Sequence, residues 1–277
     1  MVVAAAACAA PPTAVAAGDA NVAALQVALR AKGTYRGPVD GLRGPATAAA
    51  IRRFQRRVGL AVDGVVGPRT RRALGRFGRP ALGRRVLRRG HIGWDVAQVQ
   101  FLLAWHGFPA GHFDGVLGGR SARALRRFQR WAGLAADGRA GPATLAALRG
   151  PRPVSPIRLR APLLNAPTDL FGPRGTRFHA GIDYAAPIGL PVGAAGSGTV
   201  TWAGWNNGGF GNLVAVAHGS GVRSLYAHLS STSVRVGQHV ETGQAVGLVG
   251  STGSSTGPHL HFEVHVRGAA VDPLTAF

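Results

Sequence analysis

The spacing of apolar positions changes part-way along the chain. Up to about residue 150 they recur every three to four residues, as in Val22, Leu25 and Leu29 and then Thr47, Ile51, Phe54 and Val58, which is the period of one helix face. A third short helix is predicted after Pro68. Pro45 and Pro68 sit where the first turn of a helix tolerates a missing N–H, and the Asp-Gly pairs at 40-41 and 63-64 mark tight turns ahead of them. From Pro151 the run Pro-Arg-Pro-Val-Ser-Pro reads as an extended linker. Beyond it the helical period gives way to short alternating runs separated by glycine: Gly198 to Trp202, Leu213 to Ala217, Val222 to Leu229 and His259 to Val266. Residues 163–277 are therefore predicted to form a mainly antiparallel β domain.

Sliding the chain against itself reveals a repeat with a constant offset of 74 residues and no gap. Gln26, Asp40, Gly41, Phe54, Gln55, Asp63, Gly64, Gly67 and Pro68 recur as Gln100, Asp114, Gly115, Phe128, Gln129, Asp137, Gly138, Gly141 and Pro142. Two compact three-helix units follow, at 19–79 and 91–150, joined by the arginine-rich stretch Gly83 to Gly90. The expected fold class is multidomain α+β, two small helical domains followed by the β domain. The repeat, with its Leu-Gln helix, Asp-Gly-x-x-Gly turn, Phe-Gln helix and second Asp-Gly-x-x-Gly-Pro, resembles the peptidoglycan-binding domain found beside many wall hydrolases. Residue by residue, these positions read as builders of turns and a small core; the resemblance assigns none of them to a ligand.

Charge sharpens this division. Of the formal net charge of +21, residues 1–150 carry 24 Lys+Arg against 6 Asp+Glu, whereas residues 151–277 carry 8 against 5. So basic a half seeks an anionic partner, whether nucleic acid, acidic lipid or an anionic wall polymer. No nucleic-acid motif accompanies the charge, so nucleic acid is excluded as the expected partner and anionic wall polymers are favoured. The single cysteine, Cys8, rules out an intrachain disulfide and a cysteine-based zinc cluster. Cys8 lies in an apolar, small-residue stretch, and residues 1–18 read as a signal or leader segment with Ala14-Val15-Ala16 as a cleavage site, although a positively charged start is missing. Lipid attachment at Cys8 is the less favoured reading. No later apolar run approaches the ~18 residues needed to cross a membrane. The protein is thus expected to be secreted and associated with the cell wall.

Seven of the ten histidines fall in the β domain. In His259-Leu260-His261-Phe262-Glu263-Val264, alternation puts His259, His261 and Glu263 on one side and Leu260, Phe262 and Val264 on the core side, with the two imidazoles roughly 6 to 7 Å apart at their backbones. That spacing suits one zinc ligand next to one general base. On Val222 to Leu229 the same alternation predicts a polar face bearing Tyr226 and His228, with Leu225, Ala227 and Leu229 apolar. His179 and Asp183 stand four apart amid glycines and prolines, in a turn rather than a helix. A catalytic zinc site is built from three protein ligands and an open position, and His179, Asp183 and His261 could supply the three.

These motifs resemble the lysostaphin-like zinc metallopeptidases over about 110 residues. The first metal motif is Phe178-His179-Ala180-Gly181-Ile182-Asp183-Tyr184, the second is Pro258-His259-Leu260-His261-Phe262-Glu263, and Tyr226-Ala227-His228-Leu229 matches a third. The resemblance implies Zn2+ as cofactor, with His179, Asp183 and His261 as metal ligands and His228 and His259 as catalytic residues, His259 the base and His228 its partner. It implies a zinc endopeptidase that hydrolyses peptide bonds in peptidoglycan and is targeted to the wall by the two repeats. The alternative is a non-catalytic regulator of other wall hydrolases, which all five intact positions argue against. Phe210 departs from the pattern, standing where tyrosine is common: the aromatic ring is kept and the hydroxyl lost. His218, His239 and His265 match no catalytic position and are read as structural or surface residues.

Overall fold

The computed structural model describes residues 18–277, so Cys8 and the Ala14-Val15-Ala16 motif lie outside the described residues. The first repeat forms three α-helices, α1 (Ala20–Ala31), α2 (Pro45–Arg57) and α3 (Pro68–Ala73). The second forms α4 (Trp94–Trp105), α5 (Gly119–Trp131) and α6 (Pro142–Leu148). Asp19 caps α1 by accepting from the backbone N–H groups of Asn21 and Val22, while Pro45, Pro68 and Pro142 open their helices at positions that need no donor.

The recurring Gln and Asp-Gly residues form one device, built four times. Gln26 Nε2 donates to Asp40 Oδ1 at 2.6 Å, and the N–H of Gly41 donates to Gln26 Oε1 at 2.9 Å. Gln100 with Asp114 and Gly115, Gln55 with Asp63 and Gly64, and Gln129 with Asp137 and Gly138 repeat these bonds. Each glycine has φ between 69° and 75°, a conformation that strains other residues. A buried amide is tolerable because both its ends are satisfied, which ties each helix to its turn.

The C-terminal part holds twelve strands among the described residues: β1 (Gly172–Arg174), β2 (Arg177–His179), β3 (Ile182–Ala185), β4 (Pro191–Gly193), β5 (Gly198–Asn206), β6 (Gly211–Ala217), β7 (Val222–Leu229), β8 (Ser231–Thr232), β9 (His239–Val240), β10 (Ala245–Leu248), β11 (His259–Val266) and β12 (Ala269–Val271). The main sheet runs β12-β11-β7-β6-β5-β9, with β3 also paired to β11, and every pairing is antiparallel. The chain is multidomain α+β, as its periods predict.

The repeats do not hang from the β domain on a free tether. Trp105 packs edge-on against Phe171 and Phe178, with ring centroids 6.1 and 5.2 Å away. The Ala270 N–H donates to the Gly107 carbonyl at 3.2 Å, and Ala269 is buried in the apolar cluster of the second repeat. Equivalent positions of the two repeats also grip the β1–β2 turn: the N–H of Val39 donates to the Gly175 carbonyl, and the N–H of Phe113 to the Thr176 carbonyl, both at 2.7 Å. Among the described residues no helix is long and apolar enough to cross a membrane.

Candidate active site

The first two candidate ligands flank a sharp turn. β2 ends on His179 and β3 carries Asp183, with Gly181 between them. A Cβ at Gly181 would stand 2.3 Å from the Phe262 carbonyl oxygen, so only glycine lets this turn lie against β11. β3 then pairs with β11 in a register that sets Asp183 directly opposite His261. The result is convergence: His261 Nδ1 lies 2.7 Å from Asp183 Oδ1, and His179 Nε2 lies 3.1 Å from that oxygen and 3.0 Å from His261 Nδ1. All three ligand atoms fall within 4.8 Å of one another, a group that could hold a metal ion. Two imidazole nitrogens and one carboxylate oxygen fit zinc.

A further layer of residues aims these ligands. The Nδ1–H of His179 donates to the Leu170 carbonyl at 3.0 Å, which leaves Nε2 as the coordinating atom. The Nε2–H of His261 donates to Glu263 Oε1 at 2.9 Å, which leaves Nδ1. Glu263 is buried and also accepts from His265 Nε2, while Asp183 Oδ2 accepts from Arg174 Nη2 at 2.6 Å and Asp169 pairs with the same guanidinium. Burial by itself would raise the Asp183 and Glu263 carboxyls, but hydrogen bonds from the surrounding imidazoles outweigh it and hold both well below the usual carboxylate range. Burial likewise pushes the His261 imidazole down, and the bonds to Asp183 and Glu263 overcome that and lift it to about 9. Both carboxylates therefore stay ionised, and their negative charge favours a metal cation between the three ligand atoms.

Glu263 was placed on the His261 side by alternation alone, but its role as the partner of His261 escaped the sequence reading. The available signal is the His-x-Glu spacing itself, since residues two apart on a strand share a face and are neighbours. His265, read as structural, supports Glu263. His218 is structural as well, bonding Ser224 Oγ at 2.7 Å and the Ser197 carbonyl at 2.9 Å, and His239 lies on the surface beside Glu241.

His228 and His259 stand over the convergent atoms, their rings 4.8 Å apart and that of His228 5.8 Å from His261. His228 Nδ1 bonds the Thr252 carbonyl and His259 Nδ1 the Gly257 carbonyl, each at 2.8 Å. A carbonyl can only accept, so each Nδ1 bears a proton, and the neutral tautomer this selects keeps its lone pair on Nε2. Burial lowers the His228 pKa, which keeps that ring neutral further into acid.

The alternation predicted for β7 is corrected by the structure. Tyr226 lies fully buried in the main core opposite Phe262, whereas Leu225 and Ala227 share the His261 side in a small apolar cluster with Leu213 and Ala215. His228 reaches the site because its backbone turns left-handed, with φ of 62°. A non-glycine residue in that conformation stores strain, and the period of the strand breaks there.

The five residues open onto a groove of about 620 Å³ whose walls include Arg174, Arg177, Phe210 and Thr256. The Phe210 ring lies 5.9 Å from that of His261, so an aromatic wall is present without a hydroxyl.

Residues 177–273 match the description of peptidase family M23, and residues 18–74 and 93–148 each match that of a putative peptidoglycan binding domain. The chain carries an M23 peptidase domain behind two peptidoglycan-binding domains. The M23 domain is 52% identical over 99 residues to the DD-carboxypeptidase/endopeptidase Mpg of Neisseria meningitidis, a match covering 36% of this chain and 23% of Mpg. Lysostaphin of Staphylococcus simulans is 46% identical over 101 residues, covering 35% of this chain and 20% of lysostaphin. The chain thus spans less than a quarter of the length of these curated relatives. Among solved structures, a zinc containing peptidase from Vibrio cholerae is 38% identical, covers 42% of this chain and 36% of that one, and has a TM-score of 0.38. All five candidate residues of the M23 domain fall within the matched span.

Proposed function

We propose that the protein is a zinc-dependent endopeptidase that hydrolyses peptide bonds in bacterial peptidoglycan, with His179, Asp183 and His261 as metal ligands and His228 and His259 as catalytic residues. The observation that carries the proposal is the convergence of three ligand atoms within 4.8 Å beneath two imidazoles whose Nε2 lone pairs are free. Zinc held there would supply Lewis acidity toward a peptide carbonyl and lower the pKa of water into the neutral range. His259 takes up the proton of the attacking water through Nε2. His228 stands beside it as its partner at the oxygen that gains charge on the former carbonyl.

The repeats at 19–79 and 91–150 hold the catalytic region 163–277 against the wall, and their arginines add attraction to anionic wall polymers. Such a substrate places the protein outside the cell membrane, in keeping with the leader-like residues 1–18. The names of Mpg and lysostaphin support peptidase chemistry of this kind.

Two histidines that stand two residues apart test the reading. His261→Ala removes a ligand and is expected to lose most bound zinc together with all hydrolysis. His259→Ala is expected to keep near-normal zinc while turnover falls by on the order of a hundredfold or more, and His228→Ala should follow it. Zinc per chain and peptide release, measured side by side, decide the matter. If His259→Ala loses zinc while His261→Ala retains it, the assignment of ligand and base is wrong; a wild-type chain that binds no zinc would favour the regulator.

A further inference from the structure

We propose that Arg177 is a carboxylate-binding residue of the groove, and that the favoured substrate carries a free carboxylate close to the scissile bond. This deepens the peptidase reading and rests on it.

In the β1–β2 hairpin Arg174 stands directly opposite Arg177. Two guanidinium groups so placed repel one another unless each finds an anion. Arg174 has its anions, Asp169 and Asp183. Arg177 has none: among the described residues no carboxylate lies within ion-pair distance of it. Its side chain bonds His112 of the second repeat, Arg177 Nε donating to His112 Nε2 at 3.0 Å. The other nitrogen of that ring, Nδ1, bonds Thr176 Oγ1 at 2.7 Å, so His112 meets the guanidinium as a neutral acceptor, orienting its charge without cancelling it.

The placement of this spare charge matters. Strand alternation puts Arg177 on the same side of β2 as His179, roughly 6 to 7 Å away at the backbone, while Phe178 points the other way into Trp105 and Phe171. Arg177 and the five candidate catalytic residues line one groove. Among the described residues neither Nη nitrogen has a hydrogen-bond partner, and the planar pair of N–H groups they offer matches a carboxylate bidentately. A peptide lying over His179 and His261 therefore meets a fixed cation within about two residues of the bond to be cut. The second repeat supplies one of the groups that hold the cation.

The test uses the full chain with zinc and a cross-linked stem peptide in two forms, one with its carboxylates free and one with them as carboxamides. Wild type is expected to favour the acid form in kcat/KM, chiefly through KM, by about ten- to a hundredfold, the worth of a charge-assisted pair of hydrogen bonds. Arg177→Gln should keep its zinc and bring the acid-to-amide ratio of kcat/KM close to one, whatever its absolute rate. Arg177→Lys should keep part of it. An acid-to-amide ratio that is the same in wild type and Arg177→Gln overturns the proposal. Calorimetric binding of the uncleaved acid and amide peptides reads the subsite without turnover. Absent hydrolysis with acid-selective binding would therefore sink the peptidase reading alone, whereas equal binding of the two forms would sink the carboxylate subsite.

Discussion

On the outward face of α1 in the first repeat stand Ala20, Ala23, Val27 and Ala31; at the equivalent places on α4 the second repeat has Trp94, Ala97, Phe101 and Trp105. The inward faces differ little, since Val22, Leu25 and Leu29 correspond to Val96, Val99 and Leu103 and fill the cores of their own repeats. α1 therefore needs one neighbour on its outer side, and α4 packs against it. α4 needs two. Nearly all of it is buried, because its aromatic face meets both α1 and the β domain, and a helix apolar all round is stable only when covered all round. Sequence identity between the copies marks what each repeat needs to fold; the differences mark which copy is fixed to its neighbour.

The largest expected effect comes from removing the bulkiest of those differences. Trp105→Ala gives the second repeat the residue type that the first carries at Ala31, and strips the partner from Phe171 and Phe178. A buried tryptophan cut back to alanine costs about 3–5 kcal/mol. Denaturant unfolding of the zinc-loaded chain should show that loss, with the transitions of the repeats and the β domain separating. A cost under about 1 kcal/mol would mean that the junction contributes little.

A smaller contrast uses a matched pair of glycines. Gly33 and Gly107 both end their helices with left-handed backbone, φ 70° and 84°. At Gly33 a new Cβ would come no closer than 3.8 Å to a neighbour, the end of the Arg57 side chain, whereas at Gly107 it would stand 2.2 Å from the Ala270 carbonyl oxygen. Gly33→Ala should cost about 1 kcal/mol, the left-handed penalty alone. Gly107→Ala adds the collision with β12, about 1–3 kcal/mol more. Equal losses in melting experiments would show that the second repeat yields freely at this contact.

Much of this was legible in the residues. The 74-residue offset and the helical period predict both three-helix units, because local turns and caps decide them: Asp-Gly with its Gln, and Pro at the first turn. The alternation along β11 brings His259 and His261 to one side, and they do share it. On β7 the same reasoning fails, since the left-handed turn at His228 lies in the backbone and no pattern of apolar residues announces it. Leu225 and Ala227 pack instead with Leu213 and Ala215 in a small apolar cluster on the His261 side of the sheet. The docking of the second repeat is not legible in the 74-residue repeat, because the residues that make it are those the two copies do not share. Trp105 opposite Ala31 was the visible sign, but a partner 66 residues further on, Phe171, is supplied only by the fold.

The smallest expected effect distinguishes the repeats by pH. Where the first repeat has the half-buried Lys32, the second has His106, 2% exposed, its Nε2–H donating to the Leu148 carbonyl at 3.0 Å and its ring edge-on to Phe128. Its Nδ1 has no partner, so a second proton there would be a buried donor without an acceptor. Burial accordingly lowers the His106 pKa below its ordinary 6.5. Between that lowered value and 6.5 the unfolded chain binds a proton that the folded chain refuses, so stability rises with pH across this window. The contribution is complete above about 6.5 and is lost as pH falls through it toward the folded value. Melting temperatures at pH 7.5 and 5.5, with zinc saturating at both, should therefore fall on acidification. His91, His218 and His228 are also lowered by burial and add to the fall, so the measure is the difference between chains. His106→Gln, which cannot take the proton but keeps an amide N–H for Leu148, should lower the melting temperature less on acidification than wild type does. If the two chains lose the same amount, the acid sensitivity lies in the other buried histidines and His106 does not distinguish the second repeat from the histidine-free first.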